Sequence, residues 1–206
     1  MYARTMTVWG RPQAIDDGIA SVRGSVMPEL QKMPGFVGLS LVADRETGRC
    51  IAASAWQNEA AMRASGPLIR EVRDRAVRML GGTVEVADWE VAVMHRRRES
   101  ADGATVRVTW VKIDPERVDA GIAAFKDGVL PVLDELEGHC GTSLLVNRLT
   151  GRAVASSAYE SAEAAQRHRA RLDRLRDATA GQAGAEVLDE QMFELAIAHL
   201  RVPELV

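Results

Sequence analysis

The sequence predicts an α+β fold built from two tandem copies of one β-α-β-β-α-β unit. Three observations lead there. The chain matches itself at a spacing of 103 residues, half of its 206. Each half alternates short β-branched runs with stretches whose apolar residues step by three and four. Thr-Gly turns and glycine stops recur at the same places in both halves.

The repeat is gap-free from Asp16 to Ala64. Over those 49 positions, 19 residues are identical to the residue 103 further on. Gly18-Ile19-Ala20 meets Gly121-Ile122-Ala123, and Ser40-Leu41 meets Ser143-Leu144. Trp89-Glu90-Val91 instead meets Phe193-Glu194-Leu195 at a spacing of 104, so the second copy gains one residue before its last strand. Arg4 meets Arg107 at the start of each copy. Fixed-period self-similarity of this kind marks duplicated architecture. The copies are expected over residues 1–97 and 105–206, with a polar linker at 98–104.

Each element has a local reason. The first strands, Ala3–Trp9 and Val106–Ile113, are rich in Thr, Val and Trp. Ile15, Ile19, Val22, Val26 and Leu30 form one apolar helix stripe, and Val118, Ile122, Phe125, Val129 and Leu133 repeat it. Asp114 before Pro115 reads as an N-cap with a first-turn proline. Pro28 and Pro131 should kink or break these helices late. Gly35 and Gly138 end them. Thr47-Gly48 and Thr150-Gly151 turn two strands into a hairpin. Asn58 and Ser161 are caps for the second helix. The last strand alternates, with Trp89, Val91 and Val93 on one face and Glu90, Ala92 and Met94 on the other.

This order is the ferredoxin-like plait, a four-stranded antiparallel sheet with both helices on one face. The uncovered faces of the two sheets are expected to pack on each other as an intramolecular dimeric α/β barrel. Met33-Pro34-Gly35-Phe36 leading into a strand, then Ser54-Ala55-Trp56 before a helix opening Asn58-Glu59-Ala60-Ala61, resembles antibiotic biosynthesis monooxygenase-like domains. The resemblance covers nearly the whole chain, twice.

Composition removes several classes. The net charge is −3, with a pI of 5.9, and argues against a nucleic-acid binder. No apolar run approaches the roughly 18 residues of a membrane span. The N-terminal stretch lacks a signal-peptide core, and two cysteines cannot staple the chain. A cytoplasmic protein is expected, without membrane association. As the twin is covalently attached, the barrel is expected in a monomer, with further homodimerisation open.

Candidate site residues follow from the faces. Trp89/Val91/Val93 and Phe193/Leu195/Ile197 are expected to face the helices. Glu90 and Glu194 then point into the barrel, where Arg4 and Arg107 on neighbouring strands should reach them. These clusters read either as a ligand cavity with a carboxylate base or as a duplicated structural ion pair. Ser54 and Ser157 share a face with Trp56 and Tyr159, either lining an aromatic-binding pocket or packing a barrel end. His168 has no twin, because Ser65 stands opposite, and it reads as a pocket acid or base or as a half-buried structural histidine. The run from Arg167 to Arg176 reads as a solvated helix face with intrahelical ion pairs. No residue spacing fits a metal site.

Three functions stay open. The resemblance implies cofactor-independent oxygenation of a small aromatic or polyketide-like substrate, with Glu90, Glu194 or His168 as base. A non-catalytic barrel holding a small apolar ligand, or none, is the second. Haem binding, also found on this fold, is the third, and would want a cavity-facing histidine on the second helix.

Overall fold

A computed structural model describes residues 1–200 and 203–205. The expected end of the second copy at residue 206 lies outside the described residues. Both halves run through the same order of elements. Repeat 1 contains β1 (Tyr2–Trp9), α1 (Ile15–Ser21), α2 (Met27–Gln31), β2 (Phe36–Asp44), β3 (Arg49–Trp56), α3 (Glu59–Ala64), α4 (Gly66–Leu80) and β4 (Thr83–Arg96). Repeat 2 contains β5 (Thr105–Lys112), α5 (Val118–Ala124), α6 (Leu130–Asp134), β6 (His139–Asn147), β7 (Arg152–Tyr159), α7 (Ala162–Arg167), α8 (Arg169–Ala183) and β8 (Glu186–Leu200). The strands follow the hydrogen-bonded order β1-β3-β2-β8-β5-β7-β6-β4, which closes as the barrel of the predicted fold class.

The chain divides into two compact units. One holds residues 1–89 and 194–200; the other holds residues 90–193 and 203–205. In the first unit, β2 pairs antiparallel with the C-terminal half of β8, from Gly38↔Leu200 to Ala43↔Glu194. In the second, β6 pairs antiparallel with the C-terminal half of β4, from Glu90↔Val146 to Arg96↔Gly141.

The local signals act as expected. The side chains of Asn58, Asp114 and Ser161 accept backbone N–H bonds from Ala61, Glu116 and Ala164. Gly151 turns β6 into β7 with a φ of 67°, and a Cβ there would lie 1.9 Å from the Ile113 carbonyl oxygen, so only glycine fits. The kinks expected at Pro28 and Pro131 take a specific form. A π turn, Val22–Val26 or Phe125–Val129, precedes each proline-bearing helix segment. Proline has no N–H to give the carbonyl four residues back, and the helix widens just ahead of it.

The face assignment of the last strands needs correcting. In β4 the pairing with β6 slips between Val91 and Val93, and in β8 the pairing with β2 slips between Leu195 and Ile197. One extra residue, Ala92 or Ala196, is left between paired positions, and a bulge of this kind exchanges the two faces of a strand. Val93 and Ile197 therefore do pack in helix-side cores, with Val118 and Phe125 around one and Ile15 with Leu41 around the other. Trp89 lies on the other face, where its indole donates to Thr5 Oγ1 at 2.8 Å. Phe193 meets the Trp110 ring edge-on there.

Candidate site in a cavity between sheet and helices

Each repeat encloses a cavity between its sheet and its own helices, the side opposite to the one expected. The repeat 2 cavity has a volume of about 150 Å³ and the repeat 1 cavity about 80 Å³. Strand alternation supplies the repeat 2 floor: Arg107, Thr109 and Val111 from β5, Leu144 and Val146 from β6, and Ala155, Ser157 and Tyr159 from β7. Ile122, Phe125 and Val129, on α5 and the π turn after it, form part of the roof with Leu172, Leu175 and Arg176 of α8.

Arg107, Ser157 and Tyr159 gather at one corner, while Arg152 lines the cavity at the other end of β7. Arg107 and Ser157 are direct partners across β5 and β7, and Tyr159 is two residues further on the same face. Arg107 is 8% exposed. Its Nη2 donates to Asp173 at 2.5 Å and to both oxygens of Glu190 at 2.7 Å. Thr109 Oγ1 and Arg176 Nη1 also donate to Glu190, at 3.1 and 2.9 Å. Among the described residues, Arg107 Nε and Nη1 have no hydrogen-bond partner. The Tyr159 side chain is fully buried, and its hydroxyl, beside Ser157, makes no hydrogen bond of good geometry among the described residues. Burial pushes that hydroxyl up to about 12, against the pull of Arg107 and of the nearby Ser157 side chain, so it stays protonated as a donor at neutral pH.

Repeat 1 treats the equivalent residues differently. Arg4 donates through Nε and Nη2 to Asp88 at 2.6 and 2.8 Å, and through Nη1 to the Met62 carbonyl and Ser65 Oγ. Trp56 is fully buried, and its indole N–H donates to Ser54 Oγ at 3.1 Å. Ser54 and Arg4 line the smaller cavity, but Trp56 does not.

Arg4 and Arg107 thus do not reach the glutamates expected for them. Glu90 pairs with Arg148 at 2.6 Å, and Arg148 also bonds Asp119 at 2.7 Å. Glu194 pairs with Arg45 at 2.9 Å, and Arg45 also bonds Asp16. The bulges turn both glutamates toward the first helix of each unit, at the surface and off the cavities. His168 sits between α7 and α8, with Nε2 3.1 Å from the Glu137 carbonyl oxygen, and it lines neither cavity. Reading along the chain missed Glu190, Asp173 and Arg176. The run around Arg176 does form intrahelical pairs, such as Arg176 with Asp173 at 3.6 Å. The extra residue in β8 was the available signal for Glu190.

Comparison with known proteins first gives the class. The chain resembles the crystal structure of an anthrone oxidase-like protein, with a TM-score of 0.69 and 13% identity over 100% of this chain and 95% of that one. A Listeria monocytogenes ferredoxin-fold protein related to antibiotic biosynthesis monooxygenases matches with a TM-score of 0.55 and 10% identity, covering 96% of both chains. A heme-degrading enzyme, LmHde, from the same organism matches at 0.53 and 10%, covering 94% of this chain and 99% of its own. At such identities the likeness shows the fold alone, a monooxygenase-like ferredoxin fold in barrel form. Closer in sequence are two Mycobacterium tuberculosis proteins, the uncharacterized proteins Rv2557 and Rv2558. They are 50% and 47% identical over 100% of this chain, which spans 92% and 88% of their lengths. The chain belongs to their family. No protein-family model matches it.

Proposed function

We propose that the repeat 2 cavity is a cofactor-independent monooxygenase site for a small aromatic or polyketide-like substrate. One observation carries this reading: an apolar cavity that ends at a buried arginine with free N–H donors, beside a buried tyrosine hydroxyl that makes no hydrogen bond of good geometry among the described residues. The apolar walls hold the rings, and the corner holds one oxygen. An apolar cavity of this size accepts a benzene-sized guest, so one or two rings fit and three require the helices to move.

The chemistry suits a ring-flanked CH₂ that is next to a carbonyl or conjugated to one through the ring. Loss of a proton to water puts negative charge on the carbonyl oxygen, where Arg107 and Tyr159 donate to it. The electron-rich carbon then reacts with dioxygen. CH₂ becomes C=O, one oxygen atom enters the product, and the other leaves as water with both hydrogens. Four electrons pass from carbon to dioxygen. The anthrone oxidase-like neighbour supports this reading at the level of fold.

A non-catalytic ligand-binding reading rests on a different observation. Glu190 and Asp173, the carboxylates at the corner, are both engaged by arginines. Haem fits less well. No histidine lines either cavity among the described residues, so no imidazole is placed to ligate iron.

Oxygen-electrode assays with 2-tetralone and anthrone test the proposal. Saturable uptake is expected with the two-ring ketone, slower uptake with the three-ring one, and a loss of about a hundredfold in Arg107→Ala. Binding of the ketone without uptake would transfer the site to the non-catalytic reading.

A further inference from the structure

Among the described residues, the arginines at the corner of the repeat 2 cavity are matched by carboxylates, and Arg152, the other arginine that lines the cavity, lies at the opposite end of β7. Arg107 lies 2.5 Å from Asp173 and 2.7 Å from Glu190. Arg176 lies 2.9 Å from Glu190 and 2.8 Å from Asp177. Arg169 reaches Asp173 at 4.0 Å. Three guanidinium groups meet three carboxylates. An arginine at the end of an apolar pocket usually recruits an anion, but here the opposing charge is built in. Glu190 is the central member, because it bonds Arg107, Arg176 and Thr109 together. It is also specific to this repeat, since the repeat 1 residue 104 positions earlier is Val86.

We propose that Glu190 is a charge filter that restricts the cavity to uncharged aromatic ligands. The ligand oxygen is a carbonyl or an un-ionised hydroxyl, which accepts from the free N–H groups of Arg107 without bringing a second negative charge beside Glu190. A carboxylate of the same size pays for that proximity in a low-dielectric site. The filter acts on the bound ground state, and charge that develops later on the same oxygen still faces Arg107. This inference rests on the reading of the cavity as an aromatic-binding site, and not on turnover.

Calorimetric titration of the full chain with acetophenone and benzoate at neutral pH tests it. The two probes have the same size and differ in charge. Wild type is expected to bind acetophenone at least about tenfold more tightly than benzoate. Glu190→Gln is expected to raise benzoate affinity about tenfold while acetophenone changes less than about threefold. Asp173→Asn shifts the same balance from the helix side, and serves if Glu190→Gln does not fold. Equal affinities in wild type, or an unchanged ratio in folded variants, overturn the filter. Failure of wild type to bind either probe overturns both the filter and the aromatic-site reading. The expected shift in ratio without oxygen uptake removes the oxygenase alone.

Discussion

Arg4 and Arg107 occupy equivalent strand positions and are equally buried, yet their hydrogen bonds differ. Arg4 engages every nitrogen, and its neighbour Trp56 gives its N–H to Ser54. Arg107 engages one nitrogen, and its neighbour Tyr159 keeps an unpartnered hydroxyl. The cavity is about 80 Å³ beside the first and about 150 Å³ beside the second. The two halves therefore hold one closed polar cluster and one open one. Buried polar groups normally find partners, so the open cluster is where a ligand's atoms belong.

The largest expected difference comes from one aromatic pair. Phe36 meets Trp56 edge-on at 5.5 Å in repeat 1, and His139 meets Tyr159 at 5.6 Å in repeat 2. His139 is fully buried, and among the described residues neither ring nitrogen makes a hydrogen bond of good geometry. Burial lowers its pKa from 6.5 to about 4, with Asp134 and the Gly141 backbone opposing the shift and Arg97 and His95 adding to it. The folded chain thus keeps His139 neutral where the unfolded chain binds a proton. Stability is full above pH 6.5 and falls as the pH drops toward 4, by up to about 3 kcal/mol. His139→Phe copies repeat 1 and is expected to abolish this loss. His95 acts with the opposite sign. Burial disfavours its charge, but bonds to Asp134 and Glu204 raise its pKa, so its contribution fades as pH rises. The measurement is therefore the difference in urea unfolding free energy between wild type and His139→Phe at pH 5 and pH 8. A difference that does not change with pH would leave the two aromatic pairs equivalent.

The arginines come next. Arg4→Ala removes the guanidinium that ties Asp88, Ser65 and the Met62 carbonyl to β1, although Ser65 Oγ still donates to that carbonyl, and is expected to cost about 2–3 kcal/mol, reduced because Asp88 is partly exposed. Arg107→Ala leaves Glu190 with Arg176 and Thr109, and is expected to cost about 1 kcal/mol while weakening ligand binding. Chemical denaturation of both variants checks the order. Equal costs would mean that Arg107 is as closed a structural group as Arg4.

The parts of this comparison legible in the sequence are the local ones. Caps at Asn58, Asp114 and Ser161 and the glycine turn at Gly151 depend on a few neighbouring atoms, and the repeat itself needs only self-alignment. Arg107, Ser157 and Tyr159 stand out because their residue types and strand spacing put them on one face. The bulges at Ala92 and Ala196 do not stand out. An alanine left over between paired positions carries no contrast of polarity, and alternation read through it assigns Glu90 and Glu194 to the wrong face. The partner of Arg107 was hidden for a related reason. Glu190 and Asp173 are 83 and 66 residues away, and strand register with helix packing brings them together.

The smallest expected effect tests the difference in polar satisfaction most directly. Trp56→Phe removes a donor bonded to Ser54 and leaves space in a fully buried site. It is expected to cost about 1–2 kcal/mol. Tyr159→Phe removes only a hydroxyl that has no partner. Deleting an unsatisfied buried group relieves a desolvation penalty, so the change is expected to lie within about 0.5 kcal/mol, or to stabilise. Urea unfolding of the two variants without ligand decides it. If Tyr159→Phe costs as much as Trp56→Phe, the hydroxyl is bonded within the protein, and the open corner of repeat 2 is as closed as its twin. If it is neutral without ligand but loses ketone affinity, the hydroxyl serves the ligand and not the fold.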